Sequence, residues 1–471
     1  MVVFKNLLKK WYCVLFIALL IRITAILLTR GVAHPDEIFQ NLEPAWQIVS
    51  NYKNKMVAWE WIEGIRSYFT PLIIAGIFKI GILLNLESTS LVLFTRIIFQ
   101  IFPAIMMLSI YKLIYKLYGR EAAIFAMSFY AFWPPFIYYD IRTLTDVPSA
   151  AFVLLGACLI FLNRYFWGGI AIGISFLFRF QSAIYAFSLL FFILVRKNRP
   201  VNFIIGVLIM LIFQGFLDLI FYDNFFSSPI KYLYFNVISG QSSKFGVLPF
   251  YAYIIFIFFF TGIIFTFLII YAMWKAKDEG VKFFLITNIP FFLIFSAIGH
   301  KEIRFLLPFY SFFIAIGIGL FYRIKKFSLK KFIILFILLS FIWILFFDWN
   351  ANREMCDAFE WIGKQKDLTG IAGICSPWAT GGYVYLNRDV PSTFIDFTKE
   401  SIENVSKFIK ELDEKYNYLI VYKRTLPQLK EEIEERFYLL KIFASYHFFI
   451  GGDAIHIYSI KAKNNSISLE L

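Results

Sequence analysis

The sequence predicts an all-α polytopic membrane protein with about 11 transmembrane helices, followed by a C-terminal extracytoplasmic α/β domain. Of its 471 residues, 60% are hydrophobic and only 17% are charged, and the mean hydropathy is +0.69. Uncharged apolar stretches recur from residue 11 to residue 347, and about 20 apolar residues suffice to cross a bilayer as a helix. This composition argues against a soluble protein, because a soluble fold could not bury so much apolar surface.

Eleven apolar segments are candidate crossings, and several are so short that flanking Tyr, Trp, Lys or Arg residues must complete the span. They are residues 11–29, 97–111, 121–139, 147–162, 165–178, 182–195, 201–221, 250–273, 283–299, 305–321 and 332–347. A further apolar segment, residues 70–84, either crosses the membrane or lies along it. The choice matters because a crossing there inverts the side of every later loop.

The distribution of positive charge gives the predicted topology. If residues 70–84 do not cross, one side of the membrane receives 18 Lys and Arg residues, whereas the opposite loops beyond residue 96 receive six. The positive-inside rule then places the N-terminus in the cytoplasm and the C-terminal domain outside it. The expected location is the plasma membrane in a prokaryote or the endoplasmic reticulum membrane in a eukaryote.

The composition changes near residue 348, where we place a domain boundary. From Trp349 onward there are 15 Lys and Arg residues against 17 Asp and Glu, so the positive excess lies in the membrane region. There it indicates topology and not nucleic-acid binding. The predicted domains are a transmembrane body, residues 1–348, with a catalytic external loop at 30–96, and a soluble domain, residues 349–471.

The soluble domain shows the patterns of an α/β fold. The stretch 416–424 resembles a strand, and alternation predicts another at 454–461. A proline in the first turn of a helical pattern predicts a helix at 426–443. No glycine-rich nucleotide-binding loop is found anywhere in the sequence, which argues against ATP-driven transport.

The first external loop contains the first candidate catalytic group, in the stretch HPDEIFQ. Asp36 and Glu37 follow a proline at the membrane edge, with His34 before them and Gln40 one turn later. A carboxylate that is partly desolvated beside apolar walls binds protons more tightly and is a better general base. The alternative, which position alone makes equally good, is a helix N-cap followed by an acidic first-turn residue.

The stretch WEWIEGIR contains a second candidate group. Trp59 and Trp61 could frame a sugar ring or a polyprenyl chain, Arg66 could bind a phosphate, and Glu60 lies between them. The commoner explanation for such a stretch is an aromatic belt at the membrane interface, with charged side chains that reach water.

Two further stretches place charges next to apolar spans. In DIRTLTD, Arg142 and Asp146 stand four residues apart, a spacing that pairs them if the stretch is helical. In LFRFQSA, Arg179 and Gln181 either line a polar cavity or cap helix ends. An internal ion pair near the membrane is the default interpretation of the first stretch.

The stretch HKEIRFLLPFY places His300, Lys301 and Arg304 at the mouth of a span. Two or three cations there could hold a phosphate leaving group and stabilise its developing charge. The alternative is a basic loop that anchors a helix, but this loop lies on the side where positive charge is disfavoured. A metal site is not expected in the protein: His34, Asp36 and Glu37 could contribute ligands, but no histidine pair or thiolate set completes a site.

Five of these stretches, in this order along the chain, carry a resemblance to a known family. They are HPDEIFQNLEPAW, WEWIEGIRSYFTPLI, RTLTD, FNVISGQSSKFGVLPFYAY and HKEIRFLLPFY. Together they resemble glycosyltransferase family 22, and within it the glycosylphosphatidylinositol (GPI) mannosyltransferases that add later mannoses to the anchor. The resemblance covers the membrane region and is weakest after about residue 350.

The resemblance implies a C-type glycosyltransferase (GT-C) fold and an active site built from external loops. It also implies that the donor is a polyprenyl-phosphate sugar, usually mannose, and that Asp36 is the catalytic carboxylate, with Glu37 beside it. No separate cofactor and no divalent metal are expected, since the lipid-linked sugar is itself a substrate.

The expected function is therefore that of an inverting membrane glycosyltransferase. It would move mannose from polyprenyl-phosphate (dolichyl-phosphate) mannose to a lipid-linked glycan or glycolipid acceptor and form an α-mannoside. The alternatives are a transferase of another polyprenyl-phosphate sugar, a transporter or flippase of a lipid-linked sugar, and an interaction scaffold. A transporter predicts charges buried in mid-span, and Arg22 is the chief example in the sequence.

Overall fold

A computed structural model describes residues 10–324, 329–444 and 454–460. Residues 1–9 of the predicted cytoplasmic N-terminus and residue 461 of the predicted last strand lie outside the described residues.

The chain divides into two compact units. Unit 1 comprises Met1–Leu28, Trp59–Ile73 and Arg96–Phe347, and unit 2 comprises Thr29–Ala58, Ile74–Thr95 and Asp348–Leu471. The sequence assigned all of residues 30–96 to the first domain, whereas most of that loop groups with the C-terminal residues.

Unit 1 is helical, and a helix occupies most of every segment that the sequence marked as a candidate crossing. Its helices are Trp11–Leu28, Trp59–Ile62, Ile101–Tyr118, Arg120–Phe132, Pro134–Asp140, Asp146–Phe161, Tyr165–Phe178, Ala183–Val195, Val201–Tyr222, Ser227–Leu233, Ala252–Thr261, Ile263–Ala276, Glu279–Ala297, Leu307–Ile324 and Leu329–Phe346. Two more helices, Phe69–Leu83 and Thr89–Ile98, run through the boundaries between the units.

Five helices of the described residues are long and apolar enough to cross a membrane, or six if one bent pair counts as a single span. The bent pair is Ala252–Thr261 and Ile263–Ala276, which meet at 103°. Gly262, with φ of 83°, makes the bend, and Trp133 Nε1 donates a 2.8 Å hydrogen bond to the carbonyl oxygen of Phe260 beside it. The helix Phe69–Leu83, over the segment that the sequence left open, has 15 residues, fewer than a full span.

Small residues allow the helices of unit 1 to pack closely. A Cβ at Gly169 would lie 2.2 Å from the carbonyl oxygen of Phe203, and one at Gly206 would lie 2.4 Å from that of Phe166. Backbones approach this closely only where side chains are absent, as is common between membrane helices. The two glycines therefore fix the contact between the helices Tyr165–Phe178 and Val201–Tyr222.

The mid-span charge of unit 1 is paired. Arg22 is 0% exposed and donates from Nε and Nη2 to Oδ2 of Asp140, at 3.0 and 2.7 Å. The hydroxyl of Tyr130 lies 3.0 Å from each oxygen of the same carboxylate. This arrangement suits a fixed structural ion pair, and it weakens the transporter alternative, which needed Arg22 for a pathway.

Unit 2 is built on a five-stranded mixed sheet. The strands are β1 (Ile371–Ile374), β2 (Ser392–Phe394), β3 (Tyr418–Tyr422), β4 (Phe437–Ala444) and β5 (Ala454–Ile460), in the order β2-β1-β3-β5-β4. β1 pairs in parallel with β2 and β3, and β5 pairs antiparallel with β3 and β4. The α-helices that lie wholly in unit 2 are Glu43–Val49, Arg353–Gly363, Gly382–Leu386, Ile402–Glu411 and Lys430–Arg436.

The sequence predicted a helix over 426–443, and the second half of that prediction is wrong. A helix covers Lys430–Arg436 only, and Phe437–Ala444 form β4, which pairs with β5. The acidic and basic residues that favour a helix become sparse after Arg436. The pairing that makes the rest a strand is long-range, so local periodicity does not reveal it.

The first loop is attached to the C-terminal part of unit 2 by hydrogen bonds. Asp389 accepts from the backbone N–H groups of Lys53 and Asn54, at 2.9 and 3.0 Å. Glu43 is 1% exposed and its Oε2 accepts from the backbone N–H of Val384 at 3.0 Å. These contacts explain why most of this loop groups with unit 2.

Candidate functional site

Asp36, the predicted catalytic carboxylate, lies in unit 2 and is 7% exposed. Its Oδ1 lies 3.0 Å from Nδ1 of His34. Asp36 precedes the π-helix Glu37–Leu42, but within the described residues its side chain makes no capping hydrogen bond. The N-cap alternative is therefore not supported, and a partly buried carboxylate beside an imidazole is suited to proton transfer.

Glu37 is placed differently from its neighbour. It is 0% exposed, and its Oε1 accepts a 2.6 Å hydrogen bond from the backbone N–H of Ala33. Gln40 is half-buried on the following π-helix. The geometry favours Asp36 over Glu37 as a base, because Glu37 is closed off from solvent and stabilises the turn before the helix.

In unit 1, three separate segments bring predicted residues together. Arg179 forms an ion pair with Oδ1 of Asp146, and Nη1 of Arg304 lies 4.0 Å from Oδ2 of the same carboxylate. Glu302 accepts from Nε and Nη2 of Arg304, at 2.7 and 3.1 Å. Its Oε1 also lies 3.2 Å from Nε2 of His300. We call these five residues the arginine cluster.

The helix ends explain how these side chains meet. Asp146 is the first residue of the helix Asp146–Phe161, and Arg179 directly follows the helix Tyr165–Phe178. Arg304 lies in the 3-10 helix Ile303–Leu306, which leads into the helix Leu307–Ile324. Apolar helices therefore carry the charges at their ends, where charges avoid the hydrocarbon.

The hydrogen bond with Glu302 has an electrostatic consequence for His300. It raises the pKa of His300, because a neighbouring carboxylate favours the protonated imidazole. His300 and Arg304 do not share one helix, because residues 301–302 are not helical. The two side chains come together because both contact Glu302.

The predicted pairing of Arg142 with Asp146 is wrong. The segment between them is not helical, so the four-residue spacing does not bring the side chains together. Asp146 is paired with Arg179 instead. Arg142 is 1% exposed, and its guanidinium lies over the ring of Tyr138, 5.2 Å from the ring centre.

A cleft of about 270 Å³, including its open mouth, lies beside the arginine cluster. Its polar lining residues are Asp146, Ser149, Arg179, Gln181 and Ser182, and its mainly aromatic lining residues are Tyr185, Phe291, Phe295, Phe305 and Pro308. Arg179 also lies over the ring of Phe305, at 4.9 Å. Gln181 donates a hydrogen bond to the hydroxyl of Tyr232. The cleft suits a small ligand with both polar and apolar faces.

Lys301 is predicted to bind phosphate, but its ammonium group has other partners. It donates to the carbonyl oxygens of Ile298, Leu248 and Gly299, the last two at 3.0 and 3.5 Å. Lys301 is 6% exposed, and burial lowers the pKa of its ammonium group. These contacts favour a role in holding the loop 246–249 against the start of the HKEIR stretch.

The residues of the WEWIEGIR stretch that were proposed to frame a ligand fall into two groups. The ring of Trp59 stacks on Phe245 at 5.7 Å, and Phe245 lies 6.1 Å from the ring of His300. Trp61 is 7% exposed and packs against Tyr68 at 4.6 Å. Trp59 is therefore linked through one ring to the arginine cluster, whereas Trp61 belongs to the packed interior.

Arg66 is expected to bind phosphate as well, and its nearest carboxylate is that of Glu60. The distance from Arg66 Nη2 to Glu60 Oε1 is 3.4 Å, and Glu60 is 2% exposed. The backbone carbonyl of Arg66 accepts from the hydroxyl of Tyr222 at 2.9 Å. This pair lies outside the arginine cluster.

Sequence reasoning missed several residues of this region. Glu302 stands inside the HKEIR stretch, yet only its cationic neighbours were singled out. Ser182 and Phe305 line the cleft but have no sequence signal, since serine and phenylalanine are common throughout apolar spans. Glu43 was missed as well, although an acidic residue followed by proline inside an apolar helix pattern was visible in the sequence.

The described residues contain no group of three or more His, Cys, Asp or Glu side chains placed to hold a metal ion. The expectation that no metal is needed stays a prediction.

Two curated proteins that are similar in sequence to this chain are GPI mannosyltransferases. GPI mannosyltransferase 3 of Drosophila melanogaster is 28% identical over 318 residues, 63% of this chain and 54% of that protein. GPI alpha-1,2-mannosyltransferase 3 of Bos taurus is 29% identical over 312 residues, 63% of this chain and 56% of that protein. The chain thus matches about half the length of these relatives.

A solved structure shows the same fold. The crystal structure of ArnT from Cupriavidus metallidurans bound to undecaprenyl phosphate superposes with a TM-score of 0.62 and covers 95% of this chain and 97% of that chain. The two sequences are 11% identical, so the likeness concerns the fold alone. It supports the GT-C fold that the sequence resemblance implied.

The family match covers Asp36, the arginine cluster and Trp59. Residues 13–381 match the family described as the Alg9-like mannosyltransferase family. Together with the apolar helices of unit 1, this agrees with a multi-pass membrane protein. Because the match extends over far more than half of the sequence, the chain belongs to the Alg9-like mannosyltransferase family.

Proposed function

We propose that this chain is an inverting mannosyltransferase that uses polyprenyl-phosphate mannose as donor and a lipid-linked glycan or glycolipid as acceptor. The observation that carries the proposal is the convergence of Arg179 and Arg304 on Asp146 at the edge of a cleft. This site lies within the residues that match the family. Two guanidinium groups beside a small cleft suit a ligand that joins a phosphate to a sugar.

The mannosyl donor carries its sugar in a β-linkage to the phosphate in this proposal. An acceptor hydroxyl oxygen attacks the anomeric carbon, a new carbon–oxygen bond forms, and the bond to the phosphate oxygen breaks. The attack inverts the configuration, so the product is an α-mannoside. Asp36 takes the proton of the attacking hydroxyl, and the electron pair of the broken bond leaves with the polyprenyl phosphate.

The arginine cluster stabilises the negative charge of the departing phosphate. Guanidinium groups do this well because they remain charged and present parallel N–H donors. Such preorganised charges act most strongly where water is excluded, and Arg304 is 5% exposed. The hydrogen bond with Glu302 raises the pKa of His300, which favours the protonated, cationic form of the imidazole beside the arginines.

The test is transfer of labelled mannose from dolichyl- or polyprenyl-phosphate mannose into lipid-extractable product. Membranes would contain the wild-type chain, Asp36→Asn, or the control Glu63→Gln, which changes an exposed carboxylate. Loss of a general base lowers the rate by about 10²- to 10⁴-fold, so Asp36→Asn is expected to lose nearly all transfer. Glu63→Gln is expected to transfer at the wild-type rate.

Each result has a defined meaning. Transfer by wild type and Glu63→Gln, but not by Asp36→Asn, supports the donor class and the base together. Equal transfer by all three removes Asp36 from the role of base. Transfer only from another polyprenyl-phosphate sugar replaces mannose in the proposal, and translocation of the lipid without any glycosidic product favours a flippase. Activity that survives EDTA supports the absence of a metal requirement.

The proposed topology places residues 349–471 outside the cytoplasm. Lys399 and Lys197 are both exposed, and the positive-inside argument puts them on opposite sides of the membrane. In sealed vesicles of known orientation, Lys399→Cys and Lys197→Cys should react with a membrane-impermeant maleimide from opposite sides. Labelling of both from the same side would overturn the proposed topology.

A further inference from the structure

Two buried polar atoms of the cleft have no hydrogen-bond partner among the described residues. They are Oδ2 of Asp146 and Oγ of Ser182. Asp146 is 2% exposed and Ser182 is 3% exposed, and both line the cleft. A buried polar atom without a partner is costly, so two of them beside one cleft indicate a polar ligand that supplies the missing hydrogen bonds.

Asp140 shows that a buried carboxylate in this protein can be fully satisfied. It is also 2% exposed and also paired with an arginine, and it stands only six positions before Asp146. Its Oδ2 accepts from Arg22 and from Tyr130, and its Oδ1 lies 3.0 Å from the Tyr130 hydroxyl. Asp146 differs because its second oxygen remains available to a ligand.

The position of this oxygen relative to the two arginines limits which group it can bind. Oδ1 of Asp146 is paired with Arg179, while Oδ2 lies 4.0 Å from Nη1 of Arg304. A phosphate bound by these guanidinium groups cannot itself face this oxygen, because both groups are anionic, so a neutral hydrogen-bond donor next to the phosphate is the group that can reach it. In a sugar phosphate, the anomeric carbon carries the phosphate oxygen, and the hydroxyl on the next carbon, C2, is the nearest ring hydroxyl.

The cleft has apolar walls beside its polar groups. Phe291, Phe295 and Phe305 contribute rings that suit the apolar face of a sugar.

We propose that Oδ2 of Asp146 accepts a hydrogen bond from the C2 hydroxyl of the donor sugar, which makes Asp146 a determinant of donor specificity. This inference rests on the proposed function and names the part of the donor that the site reads. A hydrogen bond between a hydroxyl and a carboxylate strengthens as positive charge develops at the anomeric carbon, so it contributes to the rate as well as to binding. Asp146 takes part in no proton transfer.

The experiment compares polyprenyl-phosphate mannose with its 2-deoxy, 3-deoxy, 4-deoxy and 6-deoxy analogues as donors. It measures kcat/KM for the wild-type chain, Asp146→Asn and Ser182→Ala. For each protein, the ratio of kcat/KM for mannose to that for an analogue does not depend on the amount of folded protein. It therefore isolates the contact between the altered residue and the deleted hydroxyl.

For the 2-deoxy donor, the ratio of kcat/KM for mannose to kcat/KM for the analogue should be about 10- to 100-fold larger in wild type than in Asp146→Asn. This is the effect expected for a hydrogen bond to a charged group. The ratios for the other three analogues should change little between the same two proteins, and the KM for the acceptor should be unaffected. If Asp146 serves only as a counter-ion for the arginines, Asp146→Asn lowers kcat/KM for all five donors by one common factor, and that outcome overturns the inference.

The wild-type series keeps the inference testable if Asp146→Asn does not fold. The 2-deoxy donor should then change the ratio of kcat/KM between wild type and Ser182→Ala less than it changes the kcat/KM of wild type itself. If deletion of the C3, C4 or C6 hydroxyl has a larger effect than deletion of the C2 hydroxyl, the assignment to C2 is overturned. A wild-type chain that transfers mannose but ignores the C2 hydroxyl leaves the proposed function standing and removes this inference. A wild-type chain that transfers no mannose removes the proposed function itself.

Discussion

Glu43 makes the stability of unit 2 depend on pH in a direction that the structure specifies. Burial raises the pKa of Glu43 to about 7, above its ordinary value of 4.5, because desolvation disfavours the charged carboxylate. The hydrogen bonds from Val384 and Gln47 oppose this effect without cancelling it. The folded protein therefore binds this proton more tightly than the unfolded chain does between these two pH values.

The sign and magnitude follow from this difference. Between about pH 4.5 and pH 7 the folded state holds more protons, so the free energy of unfolding falls as the pH rises, and it levels off above pH 7. Each pKa unit corresponds to about 1.4 kcal/mol, which gives a total of about 3.5 kcal/mol for the shift from 4.5 to about 7. Glu43→Gln retains an oxygen for the Val384 N–H group and removes the titration.

The assay is thermal unfolding of the purified protein in detergent at a fixed scan rate, from pH 5 to pH 8. The wild type should lose about 2.5 kcal/mol more stability over this range than Glu43→Gln, because part of the effect lies below pH 5, and the variant should be the more stable of the two at pH 8. Glu403→Gln, which alters an exposed carboxylate of the same unit, is the control and should follow the wild type. Parallel curves for wild type and Glu43→Gln would refute the reasoning.

Three further predictions follow from single contacts. Asp140→Asn leaves Arg22 buried without its counter-charge, so it should cost about 3–5 kcal/mol, and an unchanged melting temperature would contradict this. Arg304→Lys loses the two-pronged contact with a carboxylate, and the KM for the donor should rise about tenfold, with little change in thermal unfolding. A Cβ at Gly363 would lie 1.9 Å from a carbonyl oxygen, so Gly363→Ala should destabilise the protein by roughly 1–3 kcal/mol, whereas Gly76→Ala, which has no atom within 4 Å of its Cβ, should be neutral.

The sequence by itself established the membrane class and most of the helical segments. It could do so because hydropathy is a local property, and each apolar segment reports its own environment without reference to any other. The stretches that carry the family resemblance were equally local, and the family match over residues 13–381 confirms the resemblance. The strands β3 and β5 were also predicted from the sequence, because β3 is a short, continuously apolar stretch and apolar and polar residues alternate in β5.

The tertiary structure decided which of the marked residues meet. Spacing paired Arg142 with Asp146, whereas Arg179 and Arg304 approach Asp146 from segments far away in the chain. The sequence likewise did not reveal that Lys301 donates to the carbonyl oxygen of Leu248, which is distant along the chain, and its phosphate-binding role stays a prediction. Side-chain partners depend on how helix ends are arranged in space, and a local pattern does not contain that information.

Burial was the other property that only the tertiary structure supplied. Asp36 and Glu37 are neighbours of similar chemistry. Asp36 keeps a small exposed surface beside His34, whereas Glu37 is fully buried and accepts a hydrogen bond from the backbone N–H of Ala33. The open oxygen of Asp146 and the raised pKa of Glu43 likewise depend on what surrounds them. The sequence determined which residue types are present and which segments are apolar; packing decided which charges are desolvated and which remain available, because desolvation depends on atoms that are distant along the chain.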